Sequence, residues 1–216
     1  MSKPVFYIGI DFGQRRDHTA VCIVEKDEAK AIVRFIWKYP LGTQLPMVAD
    51  TVVDLFKSVA HKGDVYGFSC DATGMGVWPT QMIQERLPDQ RIEPFVFNNT
   101  NKRELVGKVK VMHAMGRLRF ATRKGDGIYN RQLAELMTEM RQLQAKVIRA
   151  DADNAEIEVF KTGAHDDMFT ALALAVKDIE FDSSWGNPQA VFIQDKTWEK
   201  NVLTEPSADA RNIVFF

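Results

Sequence analysis

What this chain lacks narrows its class before any motif is read. It carries only two cysteines in 216 residues, Cys22 and Cys70, and both sit inside apolar runs. That excludes a disulfide framework or a cysteine-based zinc site and suits packed thiols in a reducing, intracellular setting. No stretch approaches the roughly 20 apolar residues of a membrane span, and no signal-peptide pattern opens the chain, so no membrane partner is expected. Internal repeats and low-complexity tracts are missing. So is the G-x-x-x-x-G-K-[ST] loop of P-loop nucleotide sites. The formal net charge of −1 lacks the overall positive excess of an obvious nucleic-acid binder.

What is present is ordinary in bulk and uneven in detail. An apolar fraction of 45% and a charged fraction of 26% suit a globular protein of one large domain, with or without an appendage. Charge is concentrated between Lys102 and Lys124, where eight basic residues face the single acid Glu104. Such a stretch is compatible with phosphate-backbone contact and equally with a solvated helix face. Lys102, Arg103, Lys108 and Lys110 are the candidate phosphate contacts, which would position a duplex without reading its sequence.

The apolar patterning predicts an α/β protein. Val5–Ile10, Ala20–Glu25 and Ala31–Trp37 read as an antiparallel three-strand meander. A helix over 45–63 follows, then a strand ending at Asp71, a helix with Pro79 in its first turn, and a strand over 92–97. Helices are expected from Lys102 to Met115 and from Tyr129 to Ala145. "KVIRADADNAEIEVF" reads as an extra β-hairpin, and "HDDMFTALALAVKDIEF" as a strongly apolar helix opened by two acids. The order places strand 1 near the middle of a mixed sheet, with parallel strands beside the meander and helices on its faces. Periodicity fades beyond 181, so residues 1–181 are expected to form the domain and 182–216 a tail or extension.

In "YIGIDFG" an apolar run ends in a carboxylate, Asp11, and "DVYGFSCDATG" ends the same way at Asp71. Open α/β sheets bind ligands off such strand ends. The helix at "GAHDDMF" offers Asp166 and Asp167. Each acid alone has a structural account: Asp11 and Asp71 as turn residues, the helix acids as favourable partners of the dipole. Together, clustered carboxylates repel unless a cation neutralises them, and oxygen donors without paired Cys or His select Mg²⁺ or Mn²⁺. Two such ions about 4 Å apart would serve phosphodiester hydrolysis.

"IGIDFGQRRDHTA", "CDATGMG" and "GAHDDMFTALALA" resemble the three motifs of the nuclease domain of bacteriophage terminase large subunits, over about Val5 to Glu180. The resemblance implies an RNase H-like fold, related to Holliday-junction resolvases. It implies a metal-dependent endonuclease that cuts concatemeric viral double-stranded DNA, in the host cytoplasm, at the start and end of packaging. Carried over by position, Asp11 would bridge two Mg²⁺ or Mn²⁺ ions, Asp71 would bind one, and Asp167 would be the third acid. Asp166 and His165 would be accessory. The packaging ATPase, the small terminase subunit and the portal protein are the implied partners. Since the motor's phosphate loop is missing, an excised nuclease domain is expected. "GIDFG" also resembles the first phosphate loop of actin-like and Hsp70-like ATPases, but no second such loop follows. A dimeric resolvase for branched DNA and a non-catalytic module with acids capping turns are the other readings.

The remaining polar residues have plainer expectations. Asp17 either orients a metal-bound water or, more simply, turns the chain. His18 reads as a loop residue, His113 as packed in a helix, and Trp78 as core first, with stacking near the site as the other reading. Gly74 and Gly76 suit a tight strand-to-helix turn or a close backbone approach. The hairpin around "RADADNAE" is a candidate DNA-facing or regulatory flap by analogy.

Overall fold

A computed structural model of the chain describes residues 3–13, 17–151, 154–161 and 165–181. The strands β1 (Val5–Asp11), β2 (Ala20–Asp27) and β3 (Lys30–Lys38) form the antiparallel meander. On the other side of β1 lies β4 (Asp64–Asp71), parallel to it, and then β5 (Glu93–Phe95), parallel to β4. A three-residue strand, β6 (Leu118–Phe120), closes the far edge beside β3. The order is therefore β5-β4-β1-β2-β3-β6, with β1 central as its continuous apolar run requires.

Two helical layers cover the sheet. Helices α1 (Leu45–Ala60) and α2 (Val77–Arg86) pack on one face. Helices α3 (Asn99–Ala114), α4 (Gly127–Gln142) and α5 (Asp167–Val176) pack on the other. Every residue of α5 is buried, as expected of a helix that is apolar all round and sandwiched between layers. The hairpin β7 (Leu143–Asp151) and β8 (Asn154–Lys161) forms a separate two-stranded sheet, with β8 alongside α3.

Strand alternation decides which way the acids point. In β1, Phe6, Ile8 and Ile10 pack toward α1 and α2, while Tyr7 packs toward α5. A side chain added at Gly9 would meet the Ala171 carbonyl at 2.1 Å and the Ala175 amide at 2.4 Å, so α5 rests directly on this strand. Asp11, two residues further on, shares the α5 face. In β4, Phe68 and Cys70 face α1 and α2, which leaves Asp71 on the α5 face too.

Three elements differ from the sequence expectation. β6 was not anticipated: "LRF" is too short for a pattern, and it exists because Ala31 N–H donates to the Arg117 carbonyl and Ala121 N–H to that of Val33. α3 starts at Asn99 rather than Lys102, because Asn98 and Asn101 form a reciprocal capping box. α4 stops at Gln142, since Leu143 already belongs to β7. The expected tail, 182–216, lies outside the described residues. Cys22 and Cys70 are free and buried, and burial pushes both thiols up, which leaves them unreactive.

Candidate metal centre

The parallel register Ile10↔Cys70 brings the ends of β1 and β4 side by side, so Asp11 and Asp71 are neighbours at the carboxyl edge of the sheet. The Asp71 carboxylate is close enough to push the Asp11 carboxyl upward. Asp71 Oδ1 also accepts the Thr73 amide at 2.7 Å, an Asx turn that bends the chain away from the strand. The following 3₁₀ turn, Gly74–Gly76, folds back over the strand end. A Cβ on Gly76 would lie 1.7 Å from the Asp71 carbonyl, so only glycine fits the close approach. Gly74 has φ +63° and supplies the left-handed step of the same turn.

The N-terminus of α5 faces this pair. Asp167 is the helix's first residue and is 3% exposed. Its Oδ2 accepts the His18 backbone amide at 3.2 Å and lies 3.7 Å from His165 Nδ1. Asp166 is the N-cap residue, and its Oδ2 is held by the Lys102 ammonium at 3.1 Å. His165 Nδ1 also lies 3.7 Å from Asp17 Oδ1. Asp17, His165 and Asp167 thus present ligand atoms within 4.8 Å of one another, next to the Asp11–Asp71 pair. His18 stands edge-on to His165, with ring centroids 5.3 Å apart, and its own Nδ1 is 2.8 Å from the Tyr39 carbonyl oxygen. The exposed Asp17 carboxylate thus stands at the rim of the site, beside His165.

Charge repulsion defines the electrostatics. Burial, and then the carboxylates of Asp71, Asp167 and Asp166, drive the Asp11 carboxyl well above the usual range. Lys102 is paired with Asp166, yet crowding four acids at one edge still disfavours the charged form of Asp11. That is the state a divalent cation relieves, and a donor set of carboxylate oxygens with at most one imidazole fits a hard ion such as Mg²⁺ or Mn²⁺.

One buried group went unnoticed in the sequence reading. Glu139 of α4 lies behind α5, 5% exposed, with Oε2 accepting the Phe169 amide at 2.9 Å. Burial first, and repulsion from Asp167 and Asp166 next, raise its carboxyl to about 7, against the opposing pull of the Phe169 hydrogen bond and Lys38. The available sign was its spacing. Leu133, Leu136 and Met140 form the buried stripe of α4, and Glu139 falls on that stripe, where a charge demands a reason.

The four basic candidates do not form one patch. Lys102 reaches the site through Asp166, and Arg103 follows it in the first turns of α3. Lys108 instead donates to the Lys177 carbonyl at 2.5 Å, capping the far end of α5, about 15 Å along a ten-residue helix from Asp167. Burial lowers its ammonium to about 8, and lowers that of Lys110 as well. Lys108 therefore sits at the end of α5 opposite Asp167. The expectation that Trp78 is core is corrected: α2 buries Pro79, Thr80 and Ile83, which turns Trp78 outward at 53% exposure. His113 is buried, as its helical neighbours implied.

Comparison with known proteins agrees with this architecture. The family model of the terminase RNase H-like domain matches residues 8–178. The large terminase nuclease of the thermophilic phage G20c with bound magnesium superposes with a TM-score of 0.57 at 19% identity, covering 82% of each chain. The human cytomegalovirus terminase nuclease domain gives 0.58 at 11% identity, over 83% of this chain and 84% of the other. The large terminase nuclease domain of bacteriophage SPP1 with bound Mn gives 0.51 at 13% identity, over 80% and 85%. No curated protein sequence matches the chain. Because the family match runs through β1, β4 and the first turns of α5, the three elements that carry Asp11, Asp71 and Asp167, the chain belongs to the terminase RNase H-like domain family.

Proposed function

We propose that the chain is the divalent-metal-dependent endonuclease of a viral packaging terminase, which cuts concatemeric double-stranded DNA in the host cytoplasm. One observation carries this reading: Asp11, Asp71, Asp166 and Asp167 stand on three elements that meet at one sheet edge, where burial and their neighbouring charges disfavour the ionised form of Asp11. Asp11, Asp71 and Asp167 would hold the ions, with Asp166 and His165 as accessory groups. The G20c and SPP1 structures, solved with magnesium and manganese, support Mg²⁺ or Mn²⁺ here. When bound, the ions would supply an activated water and neutralise the leaving oxygen.

The chain's own residues provide the frame. The Thr73 amide fixes one Asp71 oxygen, and the His18 amide fixes one Asp167 oxygen, so each carboxylate has a set orientation before any ligand arrives. His165, between Asp17 and Asp167, is placed to carry a proton or a phosphate oxygen at the rim. Lys102 and Arg103 would hold the phosphate backbone of double-stranded DNA. A packaging ATPase, a small terminase subunit and a portal protein are the partners of such a nuclease.

The test is cleavage of linear concatemeric DNA and of a four-way junction by wild-type and Asp11→Asn protein in Mg²⁺ or Mn²⁺. Cutting of linear duplex that Asp11→Asn abolishes, with DNA binding retained or slightly improved as phosphate repulsion falls, supports the proposal. Wild-type speed from Asp11→Asn, or a strong preference for the junction, overturns it.

A further inference from the structure

The N-terminus of α5 is capped in an uncommon way. The first turn of a helix leaves backbone N–H groups without helical acceptors, and the N-cap side chain ordinarily takes one. Here the N-cap residue is Asp166, whose carboxylate makes no such bond and is engaged by Lys102 instead. The first helical bond is Thr170 N–H to the Asp166 carbonyl at 2.8 Å, so the Phe169 amide precedes the ladder. Its acceptor comes from thirty residues earlier in the chain, Glu139 Oε2 on α4, at 2.9 Å.

For stability alone, this carboxylate is a poor choice. It is 5% exposed, and its Oε1 has no hydrogen-bond partner among the described residues. Burying a half-satisfied acid beside Asp166 and Asp167 costs folding energy that a neutral cap would avoid. What Glu139 adds is a fixed link between α4 and the turn that carries both acids. Phe169 lies two residues after Asp167 and three after Asp166, so holding its amide sets the backbone from which those side chains leave.

We propose that Glu139 is a positioning residue of the metal centre, fixing the first turn of α5 through the Phe169 amide and so aiming Asp167 and Asp166 at Asp11 and Asp71. The inference rests on the metal-site reading above and extends it to a residue that touches no reacting atom. Groups that orient metal ligands in this way typically change metal affinity about 10- to 100-fold when removed.

The test uses two readouts on the whole chain: Mn²⁺ binding followed by electron paramagnetic resonance, and amide exchange over residues 167–170 in metal-free protein. Glu139→Ala should weaken Mn²⁺ binding at least about tenfold and speed exchange at Phe169. Glu139→Gln keeps an oxygen that accepts the same bond and should restore both. Unchanged Mn²⁺ affinity in folded Glu139→Ala, or a Glu139→Gln protein as weak as Glu139→Ala, overturns the proposal. Should Glu139→Ala fail to fold, wild-type exchange decides: a Phe169 amide that exchanges as fast as open chain removes the tether, and a protected one supports it. Wild-type protein that binds no Mn²⁺ removes the metal-centre reading itself, and this one with it; an unaltered affinity in the variant removes only this one.

Discussion

Replacing Glu139 by glutamine should change how stability depends on pH, by an amount the geometry sets. In the folded chain the Glu139 carboxyl titrates at about 7, against an ordinary 4.5, because burial disfavours its charged form. The folded state therefore binds the proton more tightly than the unfolded one. The stability this contributes is complete below about 4.5, declines as pH rises, and is lost above about 7. At roughly 1.4 kcal/mol per pH unit, the loss is about 3 kcal/mol. Glu139→Gln removes the titration while keeping an acceptor for the Phe169 amide. Urea denaturation in EDTA at pH 4.5 and pH 8.5 measures the effect as a difference of differences. Groups that do not interact with Glu139 contribute equally to both proteins and cancel. Glu139→Gln should gain about 3 kcal/mol on the wild type between the two pH values. A gain within about 0.5 kcal/mol of zero would refute the argument that this carboxylate is buried behind α5.

Three further outcomes follow from the geometry. Lys102→Ala combined with Arg103→Ala should weaken binding to any DNA sequence and reduce the slope of log affinity against log salt by roughly 1 to 2, measured by fluorescence anisotropy. Lys108→Ala should leave that slope unchanged and cost about 1 kcal/mol in urea denaturation, since its ammonium caps the Lys177 carbonyl rather than facing a duplex. Gly9→Ala should cost more than about 3 kcal/mol, read as a large fall in Tm, because the new methyl would overlap the Ala171 carbonyl and push α5 off β1.

The acids were legible because strand ends are legible. Asp11 and Asp71 each close an apolar run, and the doublet Asp166–Asp167 opens an apolar helix, so three local signals point at one edge. The motifs located the family over about Val5 to Glu180, close to the matched 8–178. What stayed hidden depends on side-chain direction rather than residue type. Lys108 looks like its basic neighbours, but Leu105, Val106 and Val109 around it are buried, so its stem runs along the core and its ammonium ends on α5. Trp78 sits in the first turn of a helix whose inward positions are Pro79, Thr80 and Ile83, which its aromatic character alone does not reveal. Glu139 was disguised by the polar average of α4. β6 is three residues long, and it comes from its hydrogen bonds to β3 rather than from a pattern of its own.

The central claim is that the carboxyl edge of β1 and β4 holds catalytic divalent cations. Supercoiled-plasmid cleavage in Mg²⁺, Mn²⁺ or EDTA, comparing wild type with Asp71→Asn, tests it most directly. The account predicts nicking and linearisation with either metal, none in EDTA, and none from a folded Asp71→Asn protein. Cleavage that persists in EDTA, or an Asp71→Asn protein that cuts as fast as wild type, would contradict it.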